Sequence, residues 1–123
     1  YLKKIPIRWS APEVLANQGA YSIKADVWSF GIVLIEIWLK GADPYPDEKE
    51  FESIRALVQM GYVHKKPSGC SNQFYNRLIL PCLCFQADRR PTFKSLMELL
   101  RQWNQEKADY ERLQSPYIEF SSA

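Results

Sequence analysis

The stretch SIKADVWSFGIVLIEIWLK, residues 22–40, decides how this chain folds. On a helix its apolar residues face every direction instead of forming one stripe, which is typical of a helix buried inside a protein. Ser22 is suited to cap the start of this helix and Gly41 to end it. The apolar run from Val27 to Leu39 is interrupted by polar and small residues, and it is shorter than the ~20 residues that cross a bilayer. A buried strand is the alternative that the β-branched residues leave open, although the length favours a helix.

Two helices are predicted beside this central helix in the first half of the chain. Pro12 suits the first turn of a short helix from Ala11 to Leu15, where a missing N–H costs nothing. Asp47 and Glu50 resemble a capping box for a second helix. The apolar face of that helix carries Phe51, Ile54, Leu57 and Val58, and Gly61 closes it.

Two more helices are predicted in the second half. Ser71 is expected to cap a helix with Phe74, Leu78, Ile79 and Cys82, which Pro81 should bend or shorten. Thr92 is expected to cap a last helix with Phe93, Leu96, Met97, Leu100 and Trp103 at helical spacing. Beyond Gln105 the sequence turns polar, so we predict one domain over residues 1–105 and a mobile polar tail over residues 106–123. The predicted fold class is all-α, with five helices of which one is central and buried.

Composition excludes some functions. The chain has 123 residues and a net charge of +2, without a basic stripe interleaved with aromatic residues, so we expect no nucleic-acid partner. It begins with Tyr1 rather than Met, and we expect it to be a piece of a longer protein. Three irregularly spaced cysteines (Cys70, Cys82 and Cys84) indicate reduced, mostly buried thiols inside the cell, and we expect no metal site. His64 is expected to be an ordinary loop residue.

Four strings resemble the C-terminal lobe of a protein tyrosine kinase. They are PIRWSAPE at residues 6–13, DVWSFG at 26–31, GADPYP at 41–46 and RPTF at 90–93, in the family's order and over about a hundred residues. The resemblance implies that residues 1–105 are part of a kinase domain, namely the helical lobe of the α+β protein-kinase fold. Two departures concern the penultimate helix, because Leu83 stands where the family usually has tryptophan and the helix is one residue longer than usual between Tyr75 and Leu78.

The resemblance assigns roles to particular residues. Pro6, Ile7, Arg8 and Trp9 correspond to the shelf on which the substrate peptide lies. Serine/threonine kinases usually have threonine where Pro6 stands, so proline implies tyrosine specificity, although Pro6 could also simply stiffen a loop.

Other residues correspond to structural supports of the lobe. Glu13 and Arg90 correspond to a buried ion pair. Asp26 corresponds to an aspartate that accepts backbone hydrogen bonds from the catalytic loop, or else it is an acidic residue that favours a helix N-terminus. Tyr1 is a candidate phosphorylation site, with Lys3, Lys4 and Arg8 near it in sequence.

By this resemblance the parent protein transfers the γ-phosphoryl group of ATP to tyrosine with Mg²⁺, and it resides in the cytoplasm or on the cytoplasmic side of a membrane. Its expected partners are tyrosine-containing protein substrates and the remainder of its own kinase domain. The 123 residues contain none of the family's ATP-binding or catalytic strings, so we expect no catalytic residue and no bound cofactor in this stretch. A pseudokinase or scaffold lobe that serves as a protein-interaction module is the alternative.

Overall fold

The computed structural model describes residues 6–17 and 19–117, and this part of the chain contains helices and loops but no strand. The all-α prediction is therefore confirmed for these residues. The chain divides into two compact units, one up to Thr92 and one from Phe93 onward, and each is described by itself. Among the described helices none is both long and apolar enough to cross a bilayer.

The first unit begins with two short helical segments. A 3-10 turn spans Ile7–Trp9, and helix α1 spans Pro12–Ala16 with its proline in the first turn, as predicted. The three inward residues of α1, Pro12, Val14 and Leu15, are buried. The chain therefore enters the core at α1, shortly after the 3-10 turn.

Helix α2, Ile23–Trp38, is the centre of this unit. The hydroxyl of Ser22 accepts a hydrogen bond from the N–H of Ala25 at 3.2 Å, which confirms the predicted cap. One side of the helix is buried and contributes Ala25, Trp28, Ile32 and Ile35 to the core. The other side leaves apolar residues exposed, with Ile23 at 70%, Val33 at 40% and Ile37 at 64% exposure.

Helix α3, Phe51–Gln59, follows the turn after α2 and buries Ile54 and Val58. The predicted capping box is wrong. Glu50 is the N-cap residue and makes no side-chain capping bond, while the carboxylate of Asp47 lies 3.7 Å from the ammonium group of Lys65. The turn continues for three residues past Asp47, so this aspartate is too far from the helix to cap it.

The penultimate helical region consists of three consecutive pieces. These are α4 (Asn72–Phe74), a π-helical turn (Tyr75–Ile79) and α5 (Leu80–Cys82). The hydroxyl of Ser71 accepts from the N–H of Phe74 at 3.0 Å, which confirms its predicted cap. A π turn accommodates one extra residue, and it lies where the sequence is one residue longer than expected. Pro81 stands in the first turn of α5, and the helix ends at Cys82, as the predicted shortening requires.

The approach of α5 to α2 depends on Gly31. A Cβ atom at this position would lie 2.8 Å from Cys82 Cβ, closer than real Cβ atoms approach, and 3.1 Å from Leu83 Cδ2, which is also a tight contact. Leu83, which replaces the expected tryptophan, is buried in the core next to this contact. The absent side chain of Gly31 is therefore what lets the two helices touch.

The second unit contains helix α6, Phe93–Gln114. This helix is longer than predicted, because it continues for nine residues past Gln105 into the stretch predicted to be a polar tail. Polar neighbours support this extension: Gln105 donates to Asp109 at 3.1 Å, Lys107 lies 4.0 Å from Glu111, and Arg112 bonds to Asp109. Such pairs stabilise a helix without producing an apolar pattern. The boundary between residues 105 and 106 stays a prediction, and residues 118–123 lie outside the described residues.

Candidate functional site

A rigid turn carries Pro6 to the surface. The carbonyl oxygen of Pro6 accepts two hydrogen bonds, from the N–H of Trp9 at 3.0 Å and from the hydroxyl of Ser10 at 2.9 Å. The proline ring itself is exposed. Its backbone is therefore fixed while its apolar ring is free to contact another molecule.

Trp9 fastens this turn to α2. Its indole N–H donates to the carboxylate of Glu36 at 3.0 Å, and its carbonyl oxygen accepts from the hydroxyl of Ser29 at 2.7 Å. Both partners belong to the central helix. The Pro6–Trp9 segment consequently has a defined position relative to the core.

Arg8 reaches away from this segment to the turn between α2 and α3. Its guanidinium group donates to the carbonyl oxygens of Pro44 at 2.6 Å, Tyr45 at 3.2 Å and Glu48 at 3.1 Å. The ring of Phe51 lies 5.5 Å from the guanidinium carbon, within cation–π range. The guanidinium group of Arg8 is therefore already bound to three carbonyl oxygens and lies against an aromatic ring.

His64 holds the same turn from the other side. It is a loop residue, as predicted, but it is not an ordinary one, because only 3% of it is exposed. Its Nε2 atom accepts a hydrogen bond from the N–H of Tyr45 at 3.0 Å. Sequence reasoning missed this role because a single histidine in a loop belongs to no recognisable sequence motif. The nearby Gly-Tyr and Pro-Tyr-Pro segments were the available signal that two loops meet here.

Glu13 and Arg90 form the ion pair that the resemblance implies. Two parallel hydrogen bonds of 2.7 Å join the carboxylate and the guanidinium group across 77 sequence positions. The remaining donors of Arg90 bind the carbonyl oxygens of Lys24 at 3.0 Å, Cys84 at 2.7 Å and Phe85 at 3.1 Å. All five N–H groups of this buried arginine therefore have an acceptor.

The surroundings of this pair explain its charge state. Burial raises the pKa of the Glu13 carboxyl, but the hydrogen bonds and the positive charge of Arg90 outweigh it, so the pKa lies below its ordinary value. The Trp28 ring lies 5.2 Å from the guanidinium carbon. The pair thus remains ionised at neutral pH and ties α1 to the loop before α6.

The remaining predicted residues are less constrained. Asp26 lies in the first turn of α2 and its side chain is exposed. Within residues 6–17 and 19–117 its carboxylate has no hydrogen-bond or ion-pair partner, so its predicted role toward a catalytic loop stays a prediction. Tyr1, the candidate phosphorylation site, lies outside the described residues.

These arrangements can be compared with known proteins. The model of a family described as protein tyrosine and serine/threonine kinase matches residues 2–100. The chain belongs to this family. The resemblance inferred from the four strings is therefore confirmed, and so is the assignment of the fold to the helical lobe of a kinase.

Three proteins from different animal species illustrate the similarity. Tyrosine protein-kinase src-1 of Caenorhabditis elegans is 45% identical over 76% of this chain and 17% of its own length. Fibroblast growth factor receptor homolog 1 of Drosophila melanogaster is 39% identical over 87% of this chain and 14% of its own length. Tyrosine-protein kinase FRK of Homo sapiens is 40% identical over 87% of this chain and 21% of its own length. The kinase chain described here thus spans about a fifth or less of each of these relatives.

Proposed function

We propose that the complete protein is a protein tyrosine kinase and that this chain supplies its peptide-docking surface. The reaction would transfer the γ-phosphoryl group of ATP to the hydroxyl of a tyrosine in a protein substrate. The supporting observation is the exposed Pro6 ring on a turn whose backbone is fixed by Ser10 and, through Trp9, by α2.

This turn suits a docking role for a physical reason. Phosphoryl transfer depends mainly on positioning and charge stabilisation, so a rigid surface that orients the acceptor contributes to the rate. Pro6 offers an apolar ring against which a tyrosine ring can lie. The Glu13–Arg90 pair and the Trp9–Glu36 hydrogen bond keep that ring in place without contacting the substrate themselves.

ATP and Mg²⁺ would be held elsewhere in the complete protein. The glycine-rich, Val-Ala-Ile-Lys, His-Arg-Asp and Asp-Phe-Gly types of string that bind them in kinases do not occur in these 123 residues. Residues 6–17 and 19–117 also bring no three His, Cys, Asp or Glu side chains together. We therefore assign neither group to these residues and derive no step through ATP or Mg²⁺.

Substrates and location follow from the same proposal. The partners would be proteins that present an accessible tyrosine, together with the rest of the kinase domain. Phosphoryl transfer would take place in the cytoplasm or at the cytoplasmic face of a membrane, where ATP is supplied.

An assay of the complete protein tests the proposal. Two peptides that are identical except for tyrosine or serine at the acceptor position are incubated with labelled ATP and Mg²⁺. We expect label on the tyrosine peptide and none on the serine peptide. Transfer to serine would contradict the proposed specificity, and no transfer to either peptide would favour the scaffold alternative.

A further inference from the structure

The turn Pro44–Glu48 is held in an unusual conformation. Tyr45 has a φ angle of 54°, in the left-handed region that residues with a Cβ rarely adopt. Its side chain is nevertheless buried, with 4% exposure, and its ring lies 5.0 Å from the ring of His64 and 6.3 Å from that of Tyr62. A strained residue of this kind persists only where its neighbours hold it in place.

His64 is the neighbour on the inner side of the turn. The N–H of Tyr45 donates to Nε2, so Nε2 carries no proton and the imidazole proton lies on Nδ1. Nδ1 lies 2.7 Å from the carbonyl oxygen of Lys65 and donates to it. Both ring nitrogens are therefore used, and the ring orientation is fixed between the two loops.

Arg8 is the neighbour on the side of the docking surface. Its three hydrogen bonds reach carbonyl oxygens at both ends of the turn, from Pro44 to Glu48. Because Arg8 stands between Ile7 and Trp9, any movement of the turn must move the Pro6–Trp9 segment or break these bonds. The contacts thus run without interruption from His64 through Tyr45 to Arg8.

We infer that His64 and Arg8 are positioning residues for the tyrosine-docking surface and act together by holding the Pro44–Glu48 turn from its two sides. This inference rests on the proposed function. It also changes the role of Arg8, which the resemblance placed among the substrate contacts. Here the arginine locates the surface on which Pro6 meets the substrate.

Steady-state kinetics of the complete protein separate this role from general stability. His64→Leu removes the acceptor for Tyr45 at similar volume, whereas His64→Gln retains an amide oxygen that can reach the same N–H. Arg8→Lys keeps the charge but cannot span three carbonyl oxygens. We expect His64→Leu and Arg8→Lys to raise the peptide KM about 10-fold with the KM for ATP unchanged, and His64→Gln to remain near wild type.

The double variant tests whether the two residues act together. If both act through one turn, His64→Leu combined with Arg8→Lys raises the peptide KM no further than the stronger single change. Arg101→Ala, which removes an exposed arginine of α6, is the matched control and should leave both KM values unchanged. A peptide KM unaffected by His64→Leu, or two effects that multiply in the double variant, would overturn the inference.

Amide exchange gives a readout that does not depend on activity. In the complete protein His64→Leu should accelerate exchange at Trp9 and Ser10, whose N–H groups close the 3-10 turn, and leave the α3 amides protected. Unchanged exchange at Trp9 and Ser10 would show that His64 does not hold the Pro6–Trp9 segment through the turn. This result would reject the inference even if the wild type phosphorylated no peptide. Absence of tyrosine phosphorylation by the wild type would instead reject the proposed function alone.

Discussion

Arg90 and His64 are buried polar residues that each join distant segments of the chain. Arg90 connects α1, the start of α2 and the loop before α6 because its guanidinium group donates to five acceptor atoms in these segments. Lys24 in turn donates a hydrogen bond to the carbonyl oxygen of Arg90. His64 connects the loop after α3 to the turn before it. Each is stable inside the protein because its hydrogen-bonding groups have partners.

Replacing Arg90 by alanine should destabilise the complete protein strongly. The change leaves the Glu13 carboxylate without its counter-charge and frees three carbonyl oxygens. The expected loss is about 3 kcal/mol, at the low end for a broken buried pair, because part of the Glu13 side chain reaches solvent. Thermal unfolding measures it, with Arg101→Ala as the control. Equal melting temperatures for Arg90→Ala and wild type would refute a stabilising role for the pair.

His64 should make stability depend on pH in the weakly acidic range. Burial lowers its pKa most, and the charge of Lys65 adds to this, whereas the hydrogen bond to the Lys65 carbonyl and the charge of Asp47 act in the opposite direction. The folded-state pKa therefore lies below the unfolded value of about 6.5. Below that pH the unfolded state binds a proton that the folded state refuses, so stability falls as pH decreases and is fully present above it.

The comparison of wild type with His64→Gln isolates this effect. Between about pH 7.5 and pH 5 the stability advantage of wild type should shrink by up to ~1.4 kcal/mol per pH unit. Tyr45 and Tyr75, which also lie against His64, stay neutral over this range because the pKa of tyrosine is ordinarily about 10, and burial raises the pKa of each further. A difference that is constant with pH would show that His64 titrates identically in both states.

At the scale of helices, the sequence predicts those features that depend on neighbouring residues, such as helix caps and the buried central helix. Ser22 and Ser71 were identified as caps because a hydroxyl directly before an apolar helix has one common use. The centre of the fold was predictable because residues 22–40 are apolar in every direction. The Glu13–Arg90 contact came from the family resemblance, since no local rule joins positions 77 apart.

The errors have equally physical causes. Asp47 fits a capping pattern, but the turn continues for three residues past it and Glu50 becomes the N-cap residue. The extension of α6 to Gln114 relies on polar pairs that apolar periodicity does not register. His64 acquires its role from the meeting of two loops, where it accepts a hydrogen bond from the N–H of Tyr45, a residue in the left-handed region. The start of α3 and the length of α6 are thus set locally, whereas the role of His64 depends on a tertiary contact.

At the scale of the whole molecule, α2 has an apolar side that residues 6–17 and 19–117 leave uncovered. Ile23, Val33 and Ile37 are all exposed, and we expect the rest of the kinase domain to cover them in the complete protein. An exposed apolar patch of more than a few hundred Å² promotes association in water. We therefore expect residues 1–123, produced alone, to self-associate in sedimentation experiments. A soluble monomer with strongly protected amides from Val27 to Leu39 would contradict this expectation.

The most direct test of the proposed docking role is a structure of the complete protein with a bound tyrosine peptide. We predict that the tyrosine ring lies within about 4.5 Å of the Pro6 ring, the distance of ordinary apolar contact. Arg8 should still bind the carbonyl oxygens of Pro44 and Glu48 and make no contact with the peptide. A tyrosine bound away from Pro6, or an Arg8 side chain that leaves the turn to bind the peptide, would contradict the assignment of this chain as the docking surface.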